Sequence, residues 1–138
     1  MSVHAGELRF STRGDGDAID LTEGIAGVVR DSGVANGVAS VFVPGATAAV
    51  TAMELEPGGI HDLRETLERL APSAGDYEHN RLNHDSNSHA HIRAAIVGPS
   101  ETVPIRDGRL VTGTWQQVVL LDFDDRPRER TVVVQILA

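Results

Sequence analysis

The sequence predicts an α+β fold: a single domain over residues 1–138, built as a mostly antiparallel, two-layer β-sandwich with two helices. Three observations carry this. Valine-rich runs such as "GVASVFVP", "QQVVLLDFD" and "RTVVVQILA" are separated by turn chemistry, as strands require. Only two segments show a clean helical period. At 138 residues, with no repeat, low-complexity tract or linker, the chain has one domain's length.

Taken in order, "ELRFST" (Glu7 to Thr12) alternates as a strand does, and "RGDGDA" after it is a turn. Asp20 suits an N-cap with Glu23 three residues on; Ile25, Val28 and Val29 follow at helical spacing, and Gly33 supplies the stop. "GVASVFVP" and "AAVTAMEL" are strands joined tightly at Pro44 and Gly45. In "GIHDLRETLERLAP", Ile60, Leu63, Leu67 and Leu70 form one face of a second helix that ends at Pro72. Residues 73–88 lack any period and read as a loop of functional length. "HAHIRAAIVG" and "ETVPI" read as strands, and Asp107-Gly108 suits a type I′ hairpin. "LVTGTWQQVVLLDFD" and "RTVVVQILA" complete the sheets.

Composition removes much chemistry. All 12 basic residues are Arg, so no lysine can act as Schiff base, general base or P-loop cation. A net charge of −8 argues against nucleic acid as partner, because that affinity comes from cationic neutralisation of phosphates. No Cys means no disulfide, thiolate nucleophile or thiolate metal site. No stretch approaches the ~20 apolar residues of a membrane span, and the first residues lack a signal pattern, so a cytoplasmic protein without membrane contact is expected.

"DYEHNRLNHDSNSHAHIR", residues 76–93, holds four of the six histidines. If Asp85 to His91 is extended, Asp85, Asn87, His89 and His91 share one face. Two imidazoles at i and i+2 on a strand can both reach one divalent ion, and an Asp or Asn of the same face or of the Tyr77 to Asn80 stretch could complete the shell. Zinc, magnesium and manganese all remain open. The competing reading has one His capping a loop and another satisfying buried carbonyls. His84 falls out of register and reads as exposed. A cupin comparison fails for want of a Glu after the H-x-H pair.

Other groups are less specific. "GPSETVP" places Ser100 and backbone N–H groups where an anion could sit, or is an ordinary turn. Trp115, the only Trp, reads as core. Arg126, Arg128 and Arg130 alternate along one face, as a phosphate fork or as edge-strand charge. Glu54 ends an apolar run and is either a ligand or general base delivered to the histidines or merely a strand-end residue. His4 and His61 read as surface positions.

The blocks "YEHN", "DSNSHAHI", "GPS", "GTWQ" and "RPRER", from about Tyr77 to Gln135, with a weaker echo from Val41 to Gly58, resemble the YjbQ family, described as secondary thiamine-phosphate synthases. The resemblance implies a compact α+β fold with a sandwich core and a homotrimer with the polar cluster near a subunit boundary. It further implies a transferase of thiamine biosynthesis, joining hydroxymethylpyrimidine diphosphate to thiazole phosphate with release of pyrophosphate. Carried over by motif, the pocket residues are His79, Asn80, Asp85, Asn87, His89, His91, Ser100, Trp115 and Gln116, with Glu54 from the weaker block. There is one departure: many family members have a His where this chain has Gly45.

The chemistry so implied is neutralisation of a diphosphate leaving group. His89 and His91, with Asp85 or His79, would hold the ion; Ser100 with Arg128 or Arg130 would contact phosphate oxygens, and Trp115 would stack on the pyrimidine. Glu54, His79, Asp85, His89 and His91 are the expected catalytic set; Asn80, Asn87, Gln116 and the arginines are expected to bind a small phosphorylated substrate. Two other classes compete: a metal-dependent phosphate or diphosphate ester hydrolase, and a non-catalytic small-anion-binding trimer.

Overall fold

The valine-rich runs assemble into two antiparallel sheets in the computed structural model, which describes residues 1–138. β1 (Val3–Thr12) pairs along its whole length with β8 (Arg128–Leu137). β3 (Gly37–Phe42) flanks β8 on the other side, followed by β5 (Ser100–Arg106) and the short β6 (Arg109–Leu110). The second sheet has β7 (Gln117–Asp122) between β2 (Asp17–Asp20) and β4 (Ala48–Met53). Four helices complete the α+β domain: α1 (Thr22–Ser32), α2 (Pro57–Leu70), α3 (Glu78–Asn83) and α4 (Ser88–Val97).

Two apolar cores stack on the smaller sheet. Val41, Val103, Val134 and Ile136 of the larger sheet meet Val50, Val118 and Leu120, with Leu21, Ile25 and Val29 of the α1 region filling the layer. On the opposite face Ala49, Val119 and Leu121 pack against Leu67 of α2 and Ala90 and Ala94 of α4. A strand buried on both faces needs no polar alternation, which accounts for the uninterrupted "VVLL" of β7. Each such Val or Leu contributes about 1.5–3 kcal/mol of burial.

Several elements form where expected, for identifiable reasons. Leu21 rather than the expected Asp20 takes the N-cap position of α1, with Asp20 just ahead of it accepting the Thr22 N–H at 2.9 Å, and Gly33 closes the helix in the left-handed region at φ 69°. The Glu56 carboxylate accepts the N–H groups of Gly58 and Gly59, starting α2 with Pro57 in its first turn, and the helix stops at Leu70, ahead of Pro72. Asp107 and Gly108 both have positive φ, 50° and 72°, as a type I′ hairpin requires.

Other expectations are corrected. The loop expected over 73–88 contains α3, and the expected strand "HAHIRAAIVG" is helix α4. Read as a strand, its residues alternate; read as a helix, Ala90, Ala94 and Val97 fall at i, i+4 and i+7 and form the stripe that packs on the smaller sheet. Residues 111–116 are a turn, so the long strand expected there begins only at Gln117. In that turn Trp115 is 73 % exposed and not core. β3 and β4, expected to be tightly joined, go to different sheets. No helix is long and apolar enough to cross a membrane.

Candidate functional site

The helical geometry of α4 divides the histidine pair. Residues two apart on a helix lie ~200° apart around its axis, so His89 and His91 face opposite ways. His91 lines an open cavity of about 270 Å³ together with Gly45, Ala46, Ala48, Ala94, Ala95 and Pro99. It is the only titratable side chain there. The Gly98–Pro99 connection holds the helix against the strands: the Gly98 carbonyl accepts the Val50 N–H, and the Pro99 carbonyl accepts that of Val43, each at 3.0 Å.

His79, on α3, stands behind His91 with ring centroids 4.7 Å apart and planes tilted by 58°. Its surroundings select a tautomer. Nε2 faces the Asn87 Oδ1 acceptor at 3.2 Å, while Nδ1 faces the Asn83 Nδ2 donor at 3.4 Å, so the neutral ring carries its proton on Nε2. Asp85 lies 3.8 Å from the same Nε2 and forms an ion pair when the ring is protonated. Asn80 accepts the Ser88 N–H at 3.1 Å through Oδ1, tying α3 to the start of α4.

Below the cavity is a buried charge network. Arg130 donates through Nε and Nη2 to the Asp122 carboxylate at 2.7 and 2.9 Å, and through Nη2 to Thr47 Oγ1 at 2.7 Å. Thr12 donates to Asp122 at 2.6 Å and Thr47 to Asp124 at 3.0 Å, both carboxylates being fully buried. Arg130 Nη1 makes no such bond and points at Gly45: a Cβ there would lie 2.8 Å from it. Gly45 also has φ +130°, a conformation essentially reserved to glycine, so this position is closed to side chains in this backbone.

His89 is buried on the other side of α4, with Nδ1 sealed from solvent and without a partner. Its burial, and then the nearby Arg93 guanidinium, push its pKa below the ordinary histidine value. Arg93 donates to Glu68 at 2.5 Å and to the Ala71 carbonyl, and that bond with the Ser73 N–H holds the Glu68 carboxyl below its usual range.

The expected metal centre is therefore corrected. No group of three or more His, Asp or Glu side chains is arranged to hold a metal ion. His79, Asp85 and His91 adjoin, while His89, the other half of the expected pair, is on the far face of α4. The remaining expected residues disperse. Glu54 is exposed just past β4, about 20 Å along the strand from Ala48 at the cavity. Ser100 opens β5 exposed, Trp115 is exposed in its turn, and Gln116 Oε1 accepts the Gly113 N–H within that turn. Arg128 pairs with Asp124 at 3.2 Å, and Arg130 is committed to Asp122, so neither is the free phosphate fork expected.

The sequence reading missed Thr47, Asp122, Asp124 and Arg93. A signal existed for the acids: Asp122 and Asp124 alternate with apolar residues, as Arg128 and Arg130 alternate across the turn, which is the pattern of two facing charged pairs.

The model of the "UPF0047 protein YjbQ-like" family matches residues 6–138. A UPF0047 protein of Archaeoglobus fulgidus is 37% identical over 131 residues, covering 95% of this chain and 99% of that protein. One from Mycobacterium tuberculosis is 41% identical over 115 residues, covering 80% of this chain and 81% of that protein. Among solved structures, a YbjQ-like protein of unknown function from Sulfolobus solfataricus superposes with a TM-score of 0.94 at 33% identity, covering 99% of this chain and 98% of that one. A YjbQ/UPF0047 protein from Clostridium acetobutylicum gives 0.88 at 38% identity, covering 96% and 99%. None of these descriptions names thiamine, a transferase or a metal. With no metal-ligand group in the chain either, the thiamine-phosphate synthase expectation is withdrawn, and the metal-dependent hydrolase set beside it gains no support.

Proposed function

The chain belongs to the UPF0047 YjbQ-like family, and from that premise we infer that its His91 cavity takes a small organic molecule carrying an anionic group, such as a phosphate ester, and that His91 exchanges a proton with it. One observation carries this reading: His91 is the sole titratable side chain on a cavity otherwise lined by glycine, alanine and proline. Small apolar walls with one convergent proton-carrying group suit ligand chemistry more than packing. Arg130 Nη1, without a hydrogen bond, lies behind Gly45 of the lining, and the tautomer set by Asn83 and Asn87 orients His79 behind the reacting imidazole.

Assembly as a homotrimer belongs to the same proposal. Val38 and Phe42 are exposed on the outer face of the larger sheet, which supports a covered interface there. A cytoplasmic setting is part of it too, testable by fractionating the native cell; sedimentation equilibrium tests the mass. For the chemistry, the protein would be incubated in D2O with a panel of small phosphate esters and carboxylates and followed by proton NMR. The expected result is solvent exchange or bond change in one compound with wild type and none with His91→Gln. Equal turnover by both proteins, or no binding to wild type, refutes the reading.

A further inference from the structure

Helix α4 has a second polar face. His89 and Arg93, four residues apart, open on a separate cleft of about 280 Å³ between α4, the later turns of α2 and the β1–β2 turn, and no hydrophobic side chain lines it. His89 is 4 % exposed, and neither ring nitrogen hydrogen-bonds within the chain. Nδ1 is sealed, so Nε2 is the edge that faces the cleft. A sealed lone pair is tolerated better than a sealed N–H, which puts the proton on Nε2 as a donor into the cleft. The depressed pKa of the ring agrees with a neutral imidazole.

The neighbouring groups are unevenly used. Arg93 commits Nε and Nη2 to the Ala71 carbonyl at 3.1 and 2.8 Å and Nη2 to Glu68, leaving Nη1 without a partner. Arg64 commits Nε and Nη2 to the Gly16 carbonyl at 3.0 and 2.7 Å, and forms no ion pair. Glu68 is taken by Arg93 and Ser73. The Asp15 and Glu65 carboxylates face the same cleft with no hydrogen bond and no cation partner in the chain. A simple anion would meet those carboxylates, and a simple cation would meet the guanidiniums. A molecule with both charges satisfies both sets.

We propose that this cleft is a second ligand site, for a small zwitterion with a primary ammonium and a carboxylate, the chemistry of a free amino acid. The carboxylate is received by His89 Nε2 and Arg93 Nη1, and the ammonium by Asp15 and Glu65. Glu65 precedes Glu68 on α2 by about one helical turn, ~5 Å, which separates the anionic end of the cleft from the Arg93 end.

Calorimetric titration tests this with glycine, alanine, glutamate, β-alanine and γ-aminobutyrate as probes, each beside its N-acetyl and methyl ester derivative. At least one zwitterion is expected to bind and its derivatives to fail. Glu65→Gln should weaken binding about tenfold, the loss of one charge-assisted hydrogen bond, and leave the melting temperature of the free protein unchanged, because Glu65 is exposed and unpaired. His91→Gln should leave the affinity unchanged, which separates this site from the His91 cavity. The proposal is overturned if no probe binds with a Kd below about 10 mM, if a derivative binds as tightly as its parent, or if Glu65→Gln has no effect.

Discussion

Replacing Arg130 with Met keeps the volume of the side chain and removes its charge from between two fully buried carboxylates. Wild-type Asp122 receives two charge-assisted bonds from this residue, at 2.7 and 2.9 Å, and Thr47 receives a third at 2.7 Å. Removing one partner of a buried ion pair costs about 3–5 kcal/mol, because the desolvated partner is stranded. For a chain of 138 residues, at about 3–4 °C per kcal/mol, the melting temperature should fall by about 10–20 °C. Urea denaturation gives the free-energy loss and calorimetry the shift in melting temperature. Changing Asp122 to Leu alongside should recover part of the loss, since both halves of the pair are then apolar. A loss below about 1 kcal/mol for Arg130→Met would refute the view that this network holds the β3–β4 turn at the cavity rim.

Three other outcomes follow from the geometry. Gly45→Ala should destabilise by about 1–3 kcal/mol in urea denaturation, since φ +130° is a glycine conformation and the new Cβ would meet Arg130 Nη1 at 2.8 Å. Ala95→Leu should abolish ligand binding in the His91 cavity, read by NMR titration, while changing stability by less than about 0.5 kcal/mol, because residue 95 is exposed at the rim. His89 is held neutral when folded but takes a proton below about pH 6.5 when unfolded, so the unfolded state binds more protons and stability falls as pH drops through that value toward the folded pKa. The contribution is at most about 1.4 kcal/mol per pH unit. His89→Gln should flatten that dependence between pH 5 and pH 7, and an unchanged slope would show that folding does not weaken proton binding by this ring.

Some of the molecule was legible because the information is local. The period of Ile60, Leu63, Leu67 and Leu70 specifies α2, Asp107-Gly108 specifies its hairpin, and the β-branched runs specify strands, since each depends on backbone preference or on burial of one face. The motif blocks also identified the family, because several short patterns in one order are specific where each alone is not. The histidine segment misled for a physical reason. In "SHAHIRAAIV" the alternation of His89, His91 and Arg93 with smaller residues imitates a strand, whereas Ala90, Ala94 and Val97 equally suit a helix. Over ten residues neither pattern outweighs the other by local preference.

The amino-acid sequence by itself determined an α+β sandwich, its family, and the gathering of polar chemistry between residues 77 and 93. Only the tertiary structure decided what that chemistry is. Ala90 and Ala94 are small enough to let a helix backbone approach Ala49 and Leu121 of the smaller sheet closely, and that packing fixes α4 as a helix. Once it is a helix, residues two apart diverge, so His91 joins His79 over an apolar cavity while His89 turns to a polar cleft. Which side chains share a site depends on contacts between segments far apart in the chain.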